Sequence, residues 1–266
     1  MTYRIAACLF LVLLTDLPDA VKIELQKPTV EAFETYIRSA ENRIEREVHD
    51  EPFLWTDTSA NRRQRVLQGE IVVESRLNGT KDVPDGLIHD WTGAVFIPGT
   101  TLARTLALVQ DYSNHKNIYK PEVADSALLS RNGNSFQVRL RLVKKQVVTV
   151  VLDTDHDVTY FPMSPLRCYS QSRSTRIAEV VRAGTADEHE LPPGRDHGLL
   201  WRLNSYWRFE ERDGGVYAEC EAISLTRSVP AGLGWVINPI VRSLPRDSLL
   251  NTLRETREAL GPGRAD

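Results

Sequence analysis

The sequence predicts an α+β fold in which an antiparallel sheet wraps against a long C-terminal helix, with an added helix at the N-terminal end. Helical apolar spacing recurs near both ends of the chain, whereas the stretch from Pro121 to Arg227 is almost entirely strand-like and is broken by turn residues. Strands that alternated with helices would indicate a parallel sheet. The order of helical and strand-like segments in this sequence therefore favours an antiparallel sheet.

The composition is that of an ordinary globular protein. The 266 residues are 41% hydrophobic and 26% charged, which excludes disordered, collagen-like and low-complexity chains. A formal charge of −3 argues against a dedicated nucleic-acid binder. Three cysteines are too few for a disulfide scaffold or a four-cysteine zinc site.

Residues 1–20 (MTYRIAACLFLVLLTDLPDA) have the pattern of a secretory signal peptide. Arg4 supplies a positive start, and the apolar stretch from Ile5 to Leu14 is too short to span a bilayer. Ala20 is a candidate last residue of the leader, although a buried N-terminal strand or helix is the alternative. We expect a secreted or periplasmic mature protein without an integral membrane segment.

Residues 21–65 are predicted to form an N-terminal helical extension. An amphipathic helix is expected over Thr29–Val48, because apolar residues recur there every three or four positions. Thr29 follows a proline and can cap this helix. The basic run Asn61–Arg65 is predicted to be a solvated loop.

The next elements are two strands and two helices. The strands are expected at Val66–Leu77, ended by Asn78-Gly79, and at Leu87–Ile97. A helix over Thr100–Tyr112 and a short helix or turn over Ser113–Tyr119 follow.

Six strands are predicted after Pro121. They are Glu122–Arg131, Ser135–Leu152, Val158–Phe161, Leu166–Arg182, Gly198–Glu211 and Val216–Arg227. Asp153 to Asp157 is interpreted as a polar turn, because an EF-hand would need glycine where Val158 stands and glutamate where Ser164 stands. Lys144-Lys145-Gln146 is expected to be a bulge or a tight turn.

The C-terminal region Trp235–Leu260 has helical spacing. Pro239 and Pro245 predict a short helix, a break, and a second helix from about Asp247. The apolar stripe of the second helix consists of Leu249, Leu250, Leu253 and Leu260.

The segment WRLNSYWRF alternates strictly, so one set of its residues should share a face: Trp201, Leu203, Ser205, Trp207 and Phe209. A two-residue hairpin at Asp213-Gly214 would pair Arg208 with Glu219 and Trp207 with Cys220. The glutamates are then charge partners. A one-residue slip would place Glu219 and Glu221 on the tryptophan face as candidate acids.

Two segments resemble START-like (SRPBCC, Bet v 1-type) domains, and in particular their secreted bacterial members. The first is His89–Leu129, in which a strand ending in Ile-Pro is followed by a helix and then by Asp-Tyr-x-x-His-x-x-x-Tyr-x-Pro-x-Val. The second is Leu199–Pro230, which precedes the terminal helix. The resemblance covers residues 66–260 and leaves 261–266 as a tail. It implies a helix-grip fold with a cavity between a curved sheet and the C-terminal helix.

Members of that group bind lipids, sterols or polyketides, and a few are cyclases or hydrolases. The expected function is therefore a secreted binding or carrier protein for an apolar, lipid-like molecule, acting as a monomer without a cofactor, a metal or a nucleic-acid partner. The predicted ligand-binding residues are Trp91, Tyr112, Tyr119, Trp201, Leu203, Trp207, Phe209, Leu249 and Leu253.

Two alternatives stay open. A cyclase or hydrolase would need titratable groups converging in the cavity, and the candidates are Glu219, Glu221, His89 and His115. An envelope structural or partner-binding module would have a core filled by side chains. No residue is assigned a catalytic role.

Cys168 and Cys220 are predicted to stay unpaired. The strand Gly198–Glu211 should lie between their strands, which separates them by about 9.6 Å. A disulfide requires Cα atoms within about 7 Å.

Overall fold

The computed structural model describes residues 23–145, 149–228 and 234–261, with backbone alone for 234–243. The predicted leader (1–20), residue Gln146 and nearly all of the predicted tail lie outside these described residues. The helices are α1 (Lys27–His49), α2 (Ala60–Leu67), α3 (Leu102–Val109), α4 (His115–Ile118) and α5 (Gly234–Leu260), with short 3₁₀ turns at Trp55–Thr58 and Tyr112–Asn114.

Most strands belong to one large sheet. The strands are β1 (Ile23–Glu24), β2 (Val72–Val83), β3 (Gly86–Pro98), β4 (Val123–Asn132), β5 (Ser135–Lys145), β6 (Thr149–Ser164), β7 (Arg167–Val181), β8 (His189–Glu190), β9 (Arg195–Asp196), β10 (Arg202–Arg212) and β11 (Gly215–Arg227). The order across the large sheet is β2-β3-β11-β10-β7-β6-β5-β4, and β8 pairs with β7. All of its pairings are antiparallel.

The fold is α+β, as predicted, with an antiparallel sheet that packs against a long C-terminal helix. A strand, two short helices, a run of antiparallel strands and a long terminal helix follow one another from β3 to α5, and the sheet is curved. We call the sheet surface that packs against α5 the grip face; it carries Trp91 and Gly93 on β3. The opposite surface, which carries Asp90 and Thr92, is the outer face.

The grip face and α5 share an apolar core. Leu249 and Leu253 of α5 pack with residues of β3, β10 and β11. A methyl group built on Gly93 would lie 2.6 Å from Cδ1 of Leu253, a distance that no ordinary contact allows. The helix and β3 therefore approach closely because residue 93 has no side chain.

Helix α1 covers the outer face. Its apolar residues form one core with Ile88, Ile223 and Leu225 of the sheet; they are Phe33, Ile37, Ala40, Ile44 and Val48. Every fourth or third residue of α1 is thus buried, as its spacing predicted. The sheet lies between two helical layers.

The N-terminal predictions need two corrections. Asn61–Arg65 is part of helix α2, which Ser59 caps and whose Val66 is buried, so its basic residues cover an exposed helical surface and do not form a loop. Strand β2 begins at Val72 and does not end at Asn78-Gly79. The register shifts there and both residues have positive φ, so the pair makes a bulge within the strand.

The polar run Asp153–Asp157 is also different from its prediction, since it lies inside β6. Asp153 and Asp155 face Arg141 and Arg139 on β5 at 2.7 and 2.8 Å. Alternate aspartates therefore have cross-strand partners, and the run forms strand. The predicted long strand Ser135–Leu152 is divided between β5 and β6, because Lys145 pairs with Thr149 and the chain reverses between them.

Helix α5 is continuous from Gly234 to Leu260, so the predicted break at Pro239 and Pro245 is wrong. Packing of the helix on the sheet outweighs the hydrogen bonds that the prolines remove. Among the described helices, none has the length and apolarity needed to cross a bilayer.

The two cysteines in the described residues are free, as predicted. Cys168 on β7 lies opposite Phe209 of β10, and Cys220 on β11 lies opposite Trp207 of β10. Strand β10 therefore separates the two cysteines.

Candidate functional site

A row of half-buried residues crosses the middle of the grip face. Trp91, Ala222, Ser205 and Ser172 pair directly across β3, β11, β10 and β7, and each is only partly covered. Central positions of a large sheet are normally buried by the layer above them. Partial exposure here means that the described residues leave this part of the grip face incompletely covered, and we call this partly exposed area the hollow.

Leu203 and Trp207 extend the hollow along β10. Both are half-buried, and both point to the grip face with Ser205. The Trp207 ring stacks on Phe209, with centroids 5.5 Å apart and planes 4° apart. The hollow therefore has one firmly held aromatic wall.

Helix α5 borders the hollow on the β3 side. Leu249 and Leu253 pack near Gly93, whereas Leu244, farther toward the start of the helix, packs with the cluster that contains Leu87 and Ile177. The row containing Trp91 lies between these two contacts on β3.

The polar lining of the grip face is built from hydroxyls and imidazoles. His89 Nε2 is 3.0 Å from Thr226 Oγ1, and His156 Nε2 is 3.0 Å from Thr154 Oγ1. Burial lowers the pKa of His156 to about 4, so this side chain is neutral at physiological pH. Ser224 is fully buried across from His89.

Five predicted site residues are buried in packed core: Tyr112, Tyr119, Phe209, Leu249 and Leu253. The Tyr112 and Tyr160 hydroxyls are 2.9 Å apart, and the Tyr119 and Thr256 hydroxyls are 3.2 Å apart. The His115 ring lies between the two predicted tyrosines, 4.7 and 4.9 Å from their rings. Tyr112, His115 and Tyr119 therefore share one surface, as expected, but their rings fill one end of the grip face.

His115 has a structural role in that packing. Its Nε2 is 3.1 Å from the Val109 carbonyl oxygen, to which it can donate. Burial lowers the pKa of His115 to about 4, which keeps the ring neutral.

The prediction that Trp201 shares a face of the strand with Trp207 is wrong. Strand β10 begins at Arg202, so the alternation does not extend back to Trp201. Trp201 is buried in the core of the α1 side, and its indole N–H donates to Asp196 at 3.0 Å.

The hairpin register is the one that we predicted from Asp213-Gly214. Arg208 pairs with Glu219 and Trp207 pairs with Cys220. Both glutamates consequently lie on the outer face, whereas His89 lies on the grip face with Trp91.

The two glutamates bind groups of the N-terminal segment. Glu219 accepts hydrogen bonds from the backbone N–H groups of Trp55 and Thr56 at 2.7 and 2.8 Å. Burial raises the pKa of Glu219 against the opposing effect of these bonds. Glu221 pairs with Arg43 at 2.5 Å and with Arg76 at 3.3 Å.

Asp90 is a third buried carboxyl group on the outer face. Tyr36 of α1 donates to it at 2.7 Å, and burial followed by the charge of Glu221 raises the pKa of Asp90 to about 7. The gap bounded by Arg76, Glu219 and Glu221 has a volume of about 10 Å³. That volume is about one water molecule's, so this gap is too small for an organic ligand.

Other features of the described chain do not extend the site. A surface depression of about 510 Å³ runs along α2 and is lined by residues such as Asp57, Arg63 and Leu67. None of these residues belongs to the strands that carry the hollow. Within residues 23–145, 149–228 and 234–261, no cluster of three or more His, Cys, Asp or Glu side chains is arranged to hold a metal ion.

Sequence reasoning found Trp91, Leu203 and Trp207 but missed the small residues of the hollow. A signal was present, because three of the predicted strands carry a small residue at these positions, namely Ser172, Ser205 and Ala222. Small side chains at consecutive positions of one face leave room above a sheet.

Comparisons with known proteins give structural similarity only. No family model matches the chain, and no curated protein is similar in sequence. A STAR-related lipid transfer protein from Xanthomonas axonopodis is 16% identical over 68% of this chain and 98% of its own, with a TM-score of 0.45. A protein from Thermus thermophilus is 14% identical over 64% and 94%, with a TM-score of 0.46.

The Zhui aromatase/cyclase from a Streptomyces species is 12% identical over 65% of this chain and 93% of its own, with a TM-score of 0.42. At these identities and TM-scores, the strand order and helix packing of the chain itself define its fold. The binding and catalytic properties of these neighbours are not transferred to it.

Proposed function

We propose that the chain binds an apolar, lipid-like small molecule between the grip face and α5, as a binding or carrier protein. The observation that carries this proposal is the half-buried row Trp91, Ala222, Ser205 and Ser172 in the middle of the sheet. Indole rings beside small side chains provide apolar surface together with room for a ligand.

The enzyme alternative has no comparable support. Glu219 binds the turn at Trp55–Thr58 and Glu221 pairs with Arg43 of α1, on the side of the sheet opposite His89. His115 is packed between two tyrosine rings. These four candidates do not converge on one point.

The expected affinity is modest. A ligand that buries about 300 Å² of apolar surface gains up to ~7 kcal/mol, from which the cost of association is subtracted. A small ligand is therefore expected to bind with micromolar affinity at best.

Native mass spectrometry of the full chain with a panel of lipids and sterols tests the proposal. We expect saturable uptake of at least one member, and Trp207→Ala should lower the bound fraction several-fold. Trp55→Phe is the control, because Trp55 lies on the outer side, with its ring against Arg62. No uptake from the whole panel, or equal behaviour of the two variants, would favour the module with a filled core.

We also propose that the protein is exported and that residues 1–20 are removed. The support is the positive Arg4 followed by the apolar stretch Ile5–Leu14. N-terminal sequencing of protein recovered from the periplasm or the medium should begin near Val21. An intact Met1 on protein recovered from the cytoplasm would contradict export.

A further inference from the structure

The hairpin that joins β6 to β7 ends in an exposed apolar segment, residues 161–166, which we call the tip. Phe161 is 40% exposed and Leu166 is 51% exposed, and Pro162 and Pro165 are exposed as well. The sequence of the tip, FPMSPL, contains no charged residue. Single exposed apolar side chains need no explanation, but a cluster of them marks an interaction surface.

The tip is held firmly at its base. The Phe161 ring stacks on the buried Tyr169, with centroids 5.6 Å apart, and Met163 packs against the core under α1. Arg167, the first residue after the tip, pairs with Glu210 at 2.8 Å. The apolar side chains are therefore presented on a pre-formed hairpin, and the nearest positive charge in sequence has an acidic partner.

The backbone of the tip has few polar groups left to pair. Pro162 and Pro165 have no N–H group, and the N–H of Leu166 donates to Ser164 Oγ at 3.2 Å. The Leu166 carbonyl oxygen accepts from the N–H of Glu211 at 2.9 Å. Unpaired backbone groups are what make a loop costly to move from water into lipid. The tip is therefore suited to contact with hydrocarbon.

The size of the tip favours a membrane over a protein partner. A six-residue turn exposes roughly 300 Å² of apolar surface or less, whereas a stable protein interface buries about 800 Å² on each partner. A bilayer requires no matching surface, because each apolar group that enters it contributes in proportion to its own area.

We propose that the tip inserts into the surface of a lipid bilayer and docks the protein there, with Phe161 and Leu166 as the inserted side chains. The inference goes beyond the proposed function and does not depend on the hollow. Because the tip is uncharged, the docking does not require anionic lipid.

Methyl NMR of the full chain with labelled leucines locates the contact. The spectra are recorded in phosphatidylcholine bicelles with and without a spin-labelled lipid, and signals are assigned by Leu166→Ile and Leu67→Ile. Leu166 should lose its methyl signals when the spin label is present. Leu67, which is 40% exposed on α2, should keep them. Equal loss at both residues, or loss at neither, would overturn the inference.

Co-sedimentation with phosphatidylcholine vesicles measures the strength of docking. The double variant Phe161→Ser/Leu166→Ser should lower the partition coefficient about ten-fold or more, and circular dichroism verifies that it is folded. Leu67→Ser is the matched control and should leave partitioning unchanged. Replacing a third of the lipid by phosphatidylglycerol should not strengthen it.

Two further outcomes would overturn the assignment. Binding that appears only with phosphatidylglycerol and is equal in all variants would mean that basic residues elsewhere hold the membrane. A dimer in sedimentation velocity that the double variant converts to monomer would mean that the tip binds a second copy of the chain. Ligand uptake is measured without vesicles, so either result leaves the proposed function standing.

Discussion

At the scale of single residues, the two faces of one strand have opposite chemistry. On β3, His89 and Trp91 lie on the grip face, whereas Asp90 faces the charged layer under α1. The alternation of a strand thus separates the polar carboxyl group from the candidate ligand site. The buried carboxyl group has a consequence for stability, because its pKa is far from the ordinary value.

Asp90 should make the protein less stable as the pH rises. Its pKa is 3.8 ordinarily and about 7 in the folded chain, so between these values the folded state keeps a proton that the unfolded state releases. Stability from this group is present at low pH and falls as the pH approaches 7, by up to about 1.4 kcal/mol per pH unit.

Asp90→Asn keeps an acceptor for Tyr36 but cannot ionise. Relative to the natural chain, the variant should gain stability as the pH rises from about 4 to 7, and the difference should then level off. Urea denaturation at several pH values measures it. A difference in free energy of unfolding that does not vary with pH would show that Asp90 is already ionised in the folded state.

Single residues also explain where sequence reasoning succeeded and where it failed. The Asp213-Gly214 turn fixes the register of β10 and β11, so the partners of Glu219 and Glu221 along the strands could be predicted. Trp201 could not be placed, because one residue decides where β10 begins. The half-buried row on the grip face depends on tertiary packing, which alternation alone does not reveal.

At the scale of elements, the contact between α5 and β3 sets the spacing of the grip. Gly93→Ala would place a methyl group 2.6 Å from Leu253 Cδ1 and 3.2 Å from Leu249 Cδ2. Such overpacking should cost about 1–3 kcal/mol of stability. Thermal unfolding of the variant measures this cost.

The double variant Gly93→Ala/Leu253→Ala tests the cause. Removing the Leu253 side chain relieves the clash, so the two substitutions together should destabilise less than the sum of their separate effects. Strict additivity would mean that the cost at Gly93 has another source.

Helix α1 was predicted from its apolar spacing, but its ionic contacts were not. The side chain of Arg43 joins Glu221 of the sheet to Glu47 of its own helix, and Arg208 donates to the same Glu47. Glu221 is buried, so its partners come from an element distant in sequence. No local pattern could have identified them.

Arg43→Ala should destabilise the fold by about 2–3 kcal/mol, less than the full cost of breaking a buried pair, because Arg76 still pairs with Glu221. Arg38→Ala is the matched control on the same helix. Arg38 is exposed, and its replacement should stay within about 0.5 kcal/mol. Equal effects of the two changes, measured by urea denaturation, would mean that α1 is held by apolar contacts alone.

At the scale of the whole molecule, the two faces of the sheet are covered to different extents. Helix α1 covers the outer face, where the buried carboxyl groups lie. Helix α5 lies across the grip face, whose centre stays half-buried. The order of elements was predictable from turn residues and periodicity. The two faces of the sheet differ because tertiary packing brings residues 23–67 against the outer side of β3, β10 and β11.

The central claim is that ligand enters the hollow on the grip face, and the indole N–H signals of the tryptophans test it directly. Titration with 1-decanol in a two-dimensional NMR experiment, with signals assigned by Trp→Phe variants, follows four described tryptophans at once. Trp91 and Trp207 should shift saturably, while Trp55 and Trp201, which lie on the α1 side, should stay in place. Shifts at Trp55 and Trp201 without any at Trp91 and Trp207 would contradict the account.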